Sequence, residues 1–229
     1  MSDSATSAPP VSRTEYVTSR IKEDVANGVI APGELIKQTV LAKRYGVSPT
    51  PVREALRILE ADGVITYAPH KGASVREMSP EGAHDLYRLR AAAEYEATEM
   101  ATSRMTPEIL ARVEAKYREL SDLLADRQST AAQLSVLNKE FHFAIYEASS
   151  PVVVEYLEML WTRFTPPTTI FRDRNAALKL HREHEAILNA IRSGNAKKAA
   201  ELTSAHTLGA SKVREEQPAV RPAGHDDQI

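Results

Sequence analysis

The chain has 229 residues, of which 42% are hydrophobic, so it is long enough for one large domain or two small ones with a real core. It contains no cysteine, which excludes disulfide bonds, cysteine-ligated zinc and thiol catalysis. It has no apolar run of about 18 residues and no signal-type segment, so we expect no membrane partner and a cytoplasmic location.

The formal net charge of −2 hides a modest asymmetry between the two parts of the chain. Residues 1–76 carry 10 Lys and Arg against 8 Asp and Glu, whereas the remainder carries 19 against 23. The first part is therefore compatible with phosphate binding, although its charge alone does not establish it.

The chain begins with a small, polar, proline-containing stretch over residues 1–12, which we expect to be disordered. A helix is predicted at about 13–27, because Val17, Ile21 and Val25 lie four residues apart and share one face. The glycines and the proline that follow predict the end of this helix and a turn.

A short helix is predicted at about 38–45, followed by a turn at Gly46 and a third helix over 48–62. Two short strands are predicted at 64–67 and 73–76, joined by a turn that contains proline and glycine. Three helices and a hairpin in this order indicate a winged helix-turn-helix of about 65 residues.

The third predicted helix has a polar beginning and an apolar side, which a helix needs to enter a DNA major groove while its back packs on a core. Ser48, Thr50 and Arg53 lie at that beginning. The guanidinium of Arg53 can bond two acceptors of a guanine or a phosphate. The alternatives are that Arg53 is an ordinary solvated residue and that Ser48 chiefly caps the helix.

From Ser79 onward the chain is predicted to be entirely helical, an all-α bundle of about six helices over residues 80–213 with a flexible tail at 214–229. The predicted helices lie near 80–104, 107–127, 131–148, 151–164, 169–193 and 195–212.

Three histidines and an amide fall on the predicted inward faces of this bundle. Asn138 and His142 are four residues apart on one helix, while His184 and His206 lie on apolar stripes of two others. A lone histidine on an apolar face is more often a core residue, but three of them beside an amide indicate a site for Zn, Ni, Mn or Fe.

The first part of the chain resembles the DNA-reading domain of the GntR family of bacterial transcription regulators. The resemblance rests on Pro32-Gly33, Leu41-Ala42, Tyr45-Gly46-Val47-Ser48, Thr50-Pro51-Val52-Arg53-Glu54-Ala55-Leu56 and Pro69 with Gly72. It implies a DNA-binding domain over about 13–76, with 48–62 as the recognition helix and His70, Lys71 and Gly72 at the wing tip. Where the family usually has Arg, this chain has Pro49, so its operator preference is expected to differ.

The helical part resembles the FCD domain, the ligand-binding domain of the FadR-type branch of the same family. The resemblance implies metal binding by Asn138, His142, His184 and His206, with open coordination positions for a carboxylate effector. It also implies an inward Arg90 that contacts the effector. His181, three residues before His184 on roughly the same face, and Arg163 are further candidates for effector contact. Asn138 departs from the more usual Asp and brings no charge. The alternative for Arg90 is a structural ion pair with Glu94.

Together these features predict a transcription regulator that acts as a repressor. We expect its homodimer to bind a near-palindromic operator and to respond to a small carboxylate or sugar acid. A metal-dependent hydrolase or lyase is a weaker alternative, because no general base accompanies the histidines and a DNA-binding domain precedes them. A third possibility is a regulator with purely structural histidines that responds to a partner protein.

Overall fold

The computed structural model of the protein describes residues 12–26, 29–68, 72–162 and 168–216. The elements in chain order are α1 (Arg13–Ala26), β1 (Leu35–Ile36), α2 (Gln38–Tyr45), α3 (Pro49–Ala61), β2 (Ile65–Ala68), β3 (Gly72–Val75), α4 (Pro80–Ser103), α5 (Pro107–Ala125), α6 (Ala131–Tyr146), α7 (Pro151–Thr162), α8 (Thr168–Arg172), α9 (Arg174–Arg192) and α10 (Ala196–Glu216). Within these described ranges no helix is long and apolar enough to cross a membrane. The mainly helical fold with a small N-terminal sheet is as predicted.

The N-terminal helices enclose a core of their own. Val17, Ile21 and Val25 of α1 are at most 1% exposed, and they pack in the same cluster as Val52 and Leu56 of α3. Each fully buried aliphatic side chain contributes about 1.5–3 kcal/mol relative to exposure. The apolar faces predicted for both helices are therefore the faces that hold α3 in place.

The sheet has three strands in the order β1-β3-β2, both pairs antiparallel. The hairpin pairs Tyr67 with Ala73, and the additional strand β1 pairs Leu35 with Ser74. The sequence did not predict β1, because two residues are too few to show an alternation of apolar and polar side chains. This strand ties the chain between α1 and α2 to the wing.

The C-terminal part contains seven described helices, α4 to α10, rather than about six. The single helix expected over 169–193 is wrong, because α8 ends at Arg172 and α9 begins at Arg174. Asp173 separates them, and its carboxylate accepts a hydrogen bond from the backbone N–H of Asn175 as an N-cap. An aspartate inside a continuous apolar pattern gave no separate sign of this break.

The first and last helices of the bundle lie against each other. α10 packs along α4 and α9 and continues to Glu216, beyond its expected end at residue 212. Alanines occupy buried positions on both α4 and α10, among them Ala97 and Ala199 at 0% exposure. Small side chains at these positions allow the two backbones to approach closely, so a displacement of one helix requires the other to move or repack.

Candidate functional site

The start of α3 presents an exposed polar surface. Ser48, Thr50 and Arg53 are all exposed, while the opposite side of the helix is buried in the core. Arg57, one turn after Arg53, is exposed on the same side and was missed, although its i, i+4 spacing was visible in the sequence. Both guanidinium groups lie 3.5–3.7 Å from the Glu54 carboxylate, long contacts on a solvated surface.

The turn before α3 has the expected backbone but not the expected side-chain cap. Gly46 adopts a left-handed conformation with φ of 67°, which a side chain would disfavour. Ser48 occupies the N-cap position in extended conformation, but its side chain makes no capping hydrogen bond. Its hydroxyl therefore does not satisfy an N–H of the first helical turn, and Pro49, also exposed, has no N–H to donate.

The wing is described only in part. Gly72 begins β3 with φ of 84°, a left-handed conformation, and is exposed. A glycine there is required by the backbone of the hairpin rather than by a DNA contact alone. His70 and Lys71, the other two residues predicted for the wing tip, lie outside the described residues.

Three helices bring three imidazoles together in the interior. His142 of α6, His184 of α9 and His206 of α10 each offer a nitrogen, and these nitrogens all lie within 4.8 Å of one another. The side chains are buried, and the Nε2 atoms of His184 and His206 are 3.1 Å apart. Asn138, one turn before His142, is also buried and lines the same cavity.

The surroundings of His142 and His184 favour their neutral forms. Burial lowers the pKa of His142 well below its ordinary value, and His206 and Arg90 lower it further. Burial likewise lowers the pKa of His184, with the neighbouring His206 and His142 adding to the effect. The neutral imidazole is the form that binds a metal, because one of its nitrogens has a free lone pair.

Two of the three imidazoles have a hydrogen-bond partner behind them. Nδ1 of His206 lies 2.9 Å from a carboxylate oxygen of Glu183, and Nδ1 of His142 lies 3.3 Å from the Tyr146 hydroxyl. Nδ1 of His184 is buried without a partner. The Nδ1 atoms of the three rings thus differ in their surroundings: one faces a carboxylate, one faces a hydroxyl, and one has no hydrogen-bond partner.

The space beside the histidines is a small cavity of about 30 Å³. Its lining includes Arg90, Asn138, His142, Trp161 and His206. A volume of this size holds about two water molecules. An organic acid therefore enters only if the surrounding helices separate.

Arg90 both lines this cavity and makes the ion pair with Glu94 that was its alternative role. Its guanidinium donates to one oxygen of Glu94 at 2.9 and 2.7 Å and lies 3.9 Å from the centre of a Trp161 ring. The two roles are compatible, because the guanidinium carries five donors.

Glu94 is a buried hub that the sequence did not single out. Its first oxygen accepts hydrogen bonds from Arg90 and from Nε1 of Trp161, and its second accepts one from the Thr207 hydroxyl. These bonds join α4 to α7 and α10. Only the i, i+4 relation to Arg90 was visible in the sequence, since the other partners come from distant segments.

His181, another predicted effector contact, lies beside the cavity rather than in its lining. His181 is hydrogen-bonded to the Ser121 hydroxyl at 2.7 Å and stacked on Tyr117 with 4.6 Å between ring centres. It is not among the residues that line the cavity, although its ring approaches that of His184 edge-on. Arg163 lies outside the described residues.

Comparison with known protein families assigns both parts of the chain. The FCD domain profile matches residues 85–209, and the profile of the bacterial regulatory proteins of the gntR family matches residues 13–75. The chain belongs to the GntR family of regulators with an FCD domain. It is a transcription regulator with a DNA-binding domain and an effector-binding domain, and it is not an enzyme.

Similar proteins include several regulators of this family. The HTH-type transcriptional regulator McbR of Escherichia coli is 31% identical over 68% of this chain and 70% of its own length. Its solved structure superposes with a TM-score of 0.72 at 25% identity, covering 86% of this chain and 94% of that one. The HTH-type transcriptional repressor GlaR of Escherichia coli is 28% identical over 82% of this chain and 89% of its own length.

The residues of the FCD domain fit a divalent metal. Ligand nitrogens about 2.0–2.1 Å from a metal are separated by roughly 3–3.5 Å from one another, and His184 and His206 already meet this spacing at 3.1 Å. Imidazole nitrogens beside an amide oxygen are suited to Zn, Ni, Mn or Fe.

The hydrolase alternative fails on geometry as well as on family. Glu140 and Glu147, the carboxylates next to His142 in sequence, are turned away from the cluster. Glu140 is bonded to Lys116 at 2.9 Å, and Glu147 lies 3.8 Å from Arg112. Neither is placed to remove a proton beside a metal-bound ligand.

Proposed function

We propose that this protein is a repressor whose DNA affinity is lowered by a small carboxylate or sugar acid bound at a metal centre in the FCD domain. The observation that carries the proposal is the convergence of three buried imidazoles beside a cavity that is also lined by a guanidinium. The same chain presents an exposed recognition helix. GlaR, a relative of similar length, is named a repressor, which supports the sign of regulation.

Asn138, His142, His184 and His206 would hold the metal. When bound, the metal supplies a positive centre with open coordination positions for a carboxylate. Arg90 provides a second positive group on the same cavity wall, able to bond a carboxylate oxygen while it keeps Glu94.

The cavity would have to widen to admit such an acid, because its 30 Å³ is filled by about two waters. Widening moves some of the helices that carry the lining side chains, and α4, α6 and α10 are among these helices. α4 begins at Pro80, a few residues after β3 of the wing. A shift of α4 is therefore transmitted to the DNA-binding part over a very short connection.

We further infer that the chain acts as a homodimer on a near-palindromic operator, with a DNA-reading unit at about 13–76 and an effector unit at about 80–213. One recognition helix covers one half-site, so two related copies are needed for a full operator. Ser48, Thr50, Arg53 and the wing around Gly72 would make the DNA contacts.

The test measures DNA affinity by fluorescence anisotropy, using an operator selected from random duplexes by the purified protein. Zn²⁺-loaded protein is titrated with and without a panel of mono- and dicarboxylic acids and sugar acids. At least one acid should weaken binding by about 5- to 150-fold, the range of ordinary allosteric coupling.

Matched substitutions separate this proposal from purely structural histidines. His142→Ala should abolish the response to the acid while DNA binding persists, whereas His84→Ala, an exposed histidine of α4, should leave it unchanged. If His142→Ala responds to the acid as the unchanged protein does, the metal site has no part in regulation. If no acid in the panel alters DNA affinity, the carboxylate switch is refuted.

A further inference from the structure

The cluster of ligand imidazoles has only one direct carboxylate contact among the described residues. Glu183 of α9 reaches across to α10, where its oxygen lies 2.9 Å from Nδ1 of His206. Glu94 approaches His142 only through the Tyr146 hydroxyl, which lies between them. Among the described residues, Glu183 is therefore the carboxylate that is hydrogen-bonded directly to a proposed metal ligand.

The hydrogen bond fixes the chemistry of His206. An ionised carboxylate is an acceptor only, so Nδ1 of His206 carries a hydrogen and donates it to Glu183. In the neutral ring the lone pair then lies on Nε2, the atom that faces Nε2 of His184 at 3.1 Å. A carboxylate in this position holds the ring in one orientation and makes its free nitrogen a better ligand.

The charge balance of the site gives this contact more weight than it would have beside an aspartate ligand. Asn138 and the three imidazoles bring no negative charge to a divalent cation, and the wall of the cavity adds the guanidinium of Arg90. A buried cation is stabilised only when opposite charge or strong hydrogen bonds compensate the lost hydration. Glu183 is 35% exposed at its side chain, so it carries its charge at little cost while touching a buried ligand.

We propose that Glu183 is the positioning residue of the metal site, which orients His206 and supplies the negative charge that Asn138 does not. The inference rests on the metal site of the proposed function. It predicts that metal affinity depends on a residue that is not a ligand, and that an aspartate at position 138 makes Glu183 less necessary.

The experiment measures Zn²⁺ affinity of the full chain by competition with a chromophoric chelator, with no effector present. Glu183→Gln keeps the size and an acceptor oxygen but removes the charge, and it should weaken Zn²⁺ binding by about 10- to 100-fold. Glu183→Ala removes the hydrogen bond as well and should weaken binding at least as much. Glu185→Gln is the matched control, since Glu185 is exposed on the same helix, and it should bind within about twofold of the unchanged protein.

The charge-compensation step has its own readout. Asn138→Asp added to Glu183→Gln should recover about tenfold or more of the lost affinity, and this gain should exceed the gain from Asn138→Asp alone. If Glu183 were merely structural, Glu183→Gln would lower the stability of the metal-free protein in the presence of a chelator, and Asn138→Asp would not restore the lost Zn²⁺ affinity. Equal gains in the two backgrounds would overturn the compensation.

The outcomes also distinguish this inference from the proposed function. If the unchanged protein binds Zn²⁺ tightly and Glu183→Gln binds equally well, the inference is refuted and the metal site stands. If the unchanged protein does not bind Zn²⁺, or other divalent transition metals used in the same assay, both are refuted.

Discussion

The buried ion pair of α4 offers the sharpest test of what holds the effector domain together. Arg90 and Glu94 are 6% and 0% exposed at their side chains and are joined by two hydrogen bonds. Glu94 also accepts from Trp161 and Thr207. Glu94→Gln retains the shape, and its amide oxygen can still accept from Arg90 and Trp161, while its NH2 group has to donate to the Thr207 hydroxyl instead of accepting from it. Its main effect is therefore to remove the buried negative charge beside the guanidinium.

Removing one partner of a buried ion pair costs about 3–5 kcal/mol, because the remaining charge is left uncompensated. We expect Glu94→Gln to lower the free energy of unfolding of the helical domain by about that amount. Arg90→Met should cost a similar amount by leaving the carboxylate unpaired. In the double variant neither charge remains, so its cost should fall short of the sum of the single costs by about 2–3 kcal/mol.

The assay is urea unfolding followed by tryptophan fluorescence. Trp161 is the only tryptophan of the chain and contacts both members of the pair, so the signal reports these helices and not the DNA-binding part. Arg88→Met, at an exposed position of the same helix, is the control and should change stability by less than about 0.5 kcal/mol. Additive costs in the double variant, or a loss below about 1 kcal/mol in Glu94→Gln, would refute the argument.

Three further predictions address other parts of the chain. Arg53→Ala should weaken operator binding by about 1–3 kcal/mol in anisotropy titrations, whereas Lys197→Ala, at an exposed site of α10, should not; equal losses would mean that only net charge matters. In the presence of a metal chelator, the free energy of unfolding in urea should be constant above about pH 6.5 and fall below it. The reason is that the folded-state pKa values of His142 and His184 lie under 6.5, so the unfolded chain takes up protons first. A free energy of unfolding that rises on acidification would contradict this. Thr130→Ala should cost about 1 kcal/mol in the same unfolding assay by removing the capping box of α6, and an unchanged midpoint would show that the cap contributes nothing.

Local patterns in the sequence were enough to predict the DNA-binding fold. The apolar spacing of Val17, Ile21 and Val25 predicts one face of α1, and all three side chains are buried. The failures were also local in origin. β1 was too short for a pattern, and Asp173 interrupts a helix whose apolar spacing continues across it.

The clustering of the three histidines was predictable from the sequence, but the groups that contact them were not. Apolar stripes place His142, His184 and His206 on inward faces, and helices that share a core bring such faces together. Glu183 is next to His184 in sequence, yet its contact is with His206 on another helix. This contact depends on how α9 and α10 are rotated relative to each other, and that rotation cannot be predicted from the sequence of either helix alone.

The same reasoning explains why regulation can reach the DNA from so small a cavity. Arg90 faces the cavity, Glu94 joins it to Trp161 of α7 and Thr207 of α10, and all of these groups are buried. Under the proposed function, a carboxylate that bonds Arg90 shares with Glu94 a guanidinium whose buried pair is worth about 3–5 kcal/mol when one side is removed. Allosteric coupling needs only about 1–3 kcal/mol, so weakening a fraction of the Arg90–Glu94 interaction would be enough to couple the proposed effector to α4 and to the wing that precedes it.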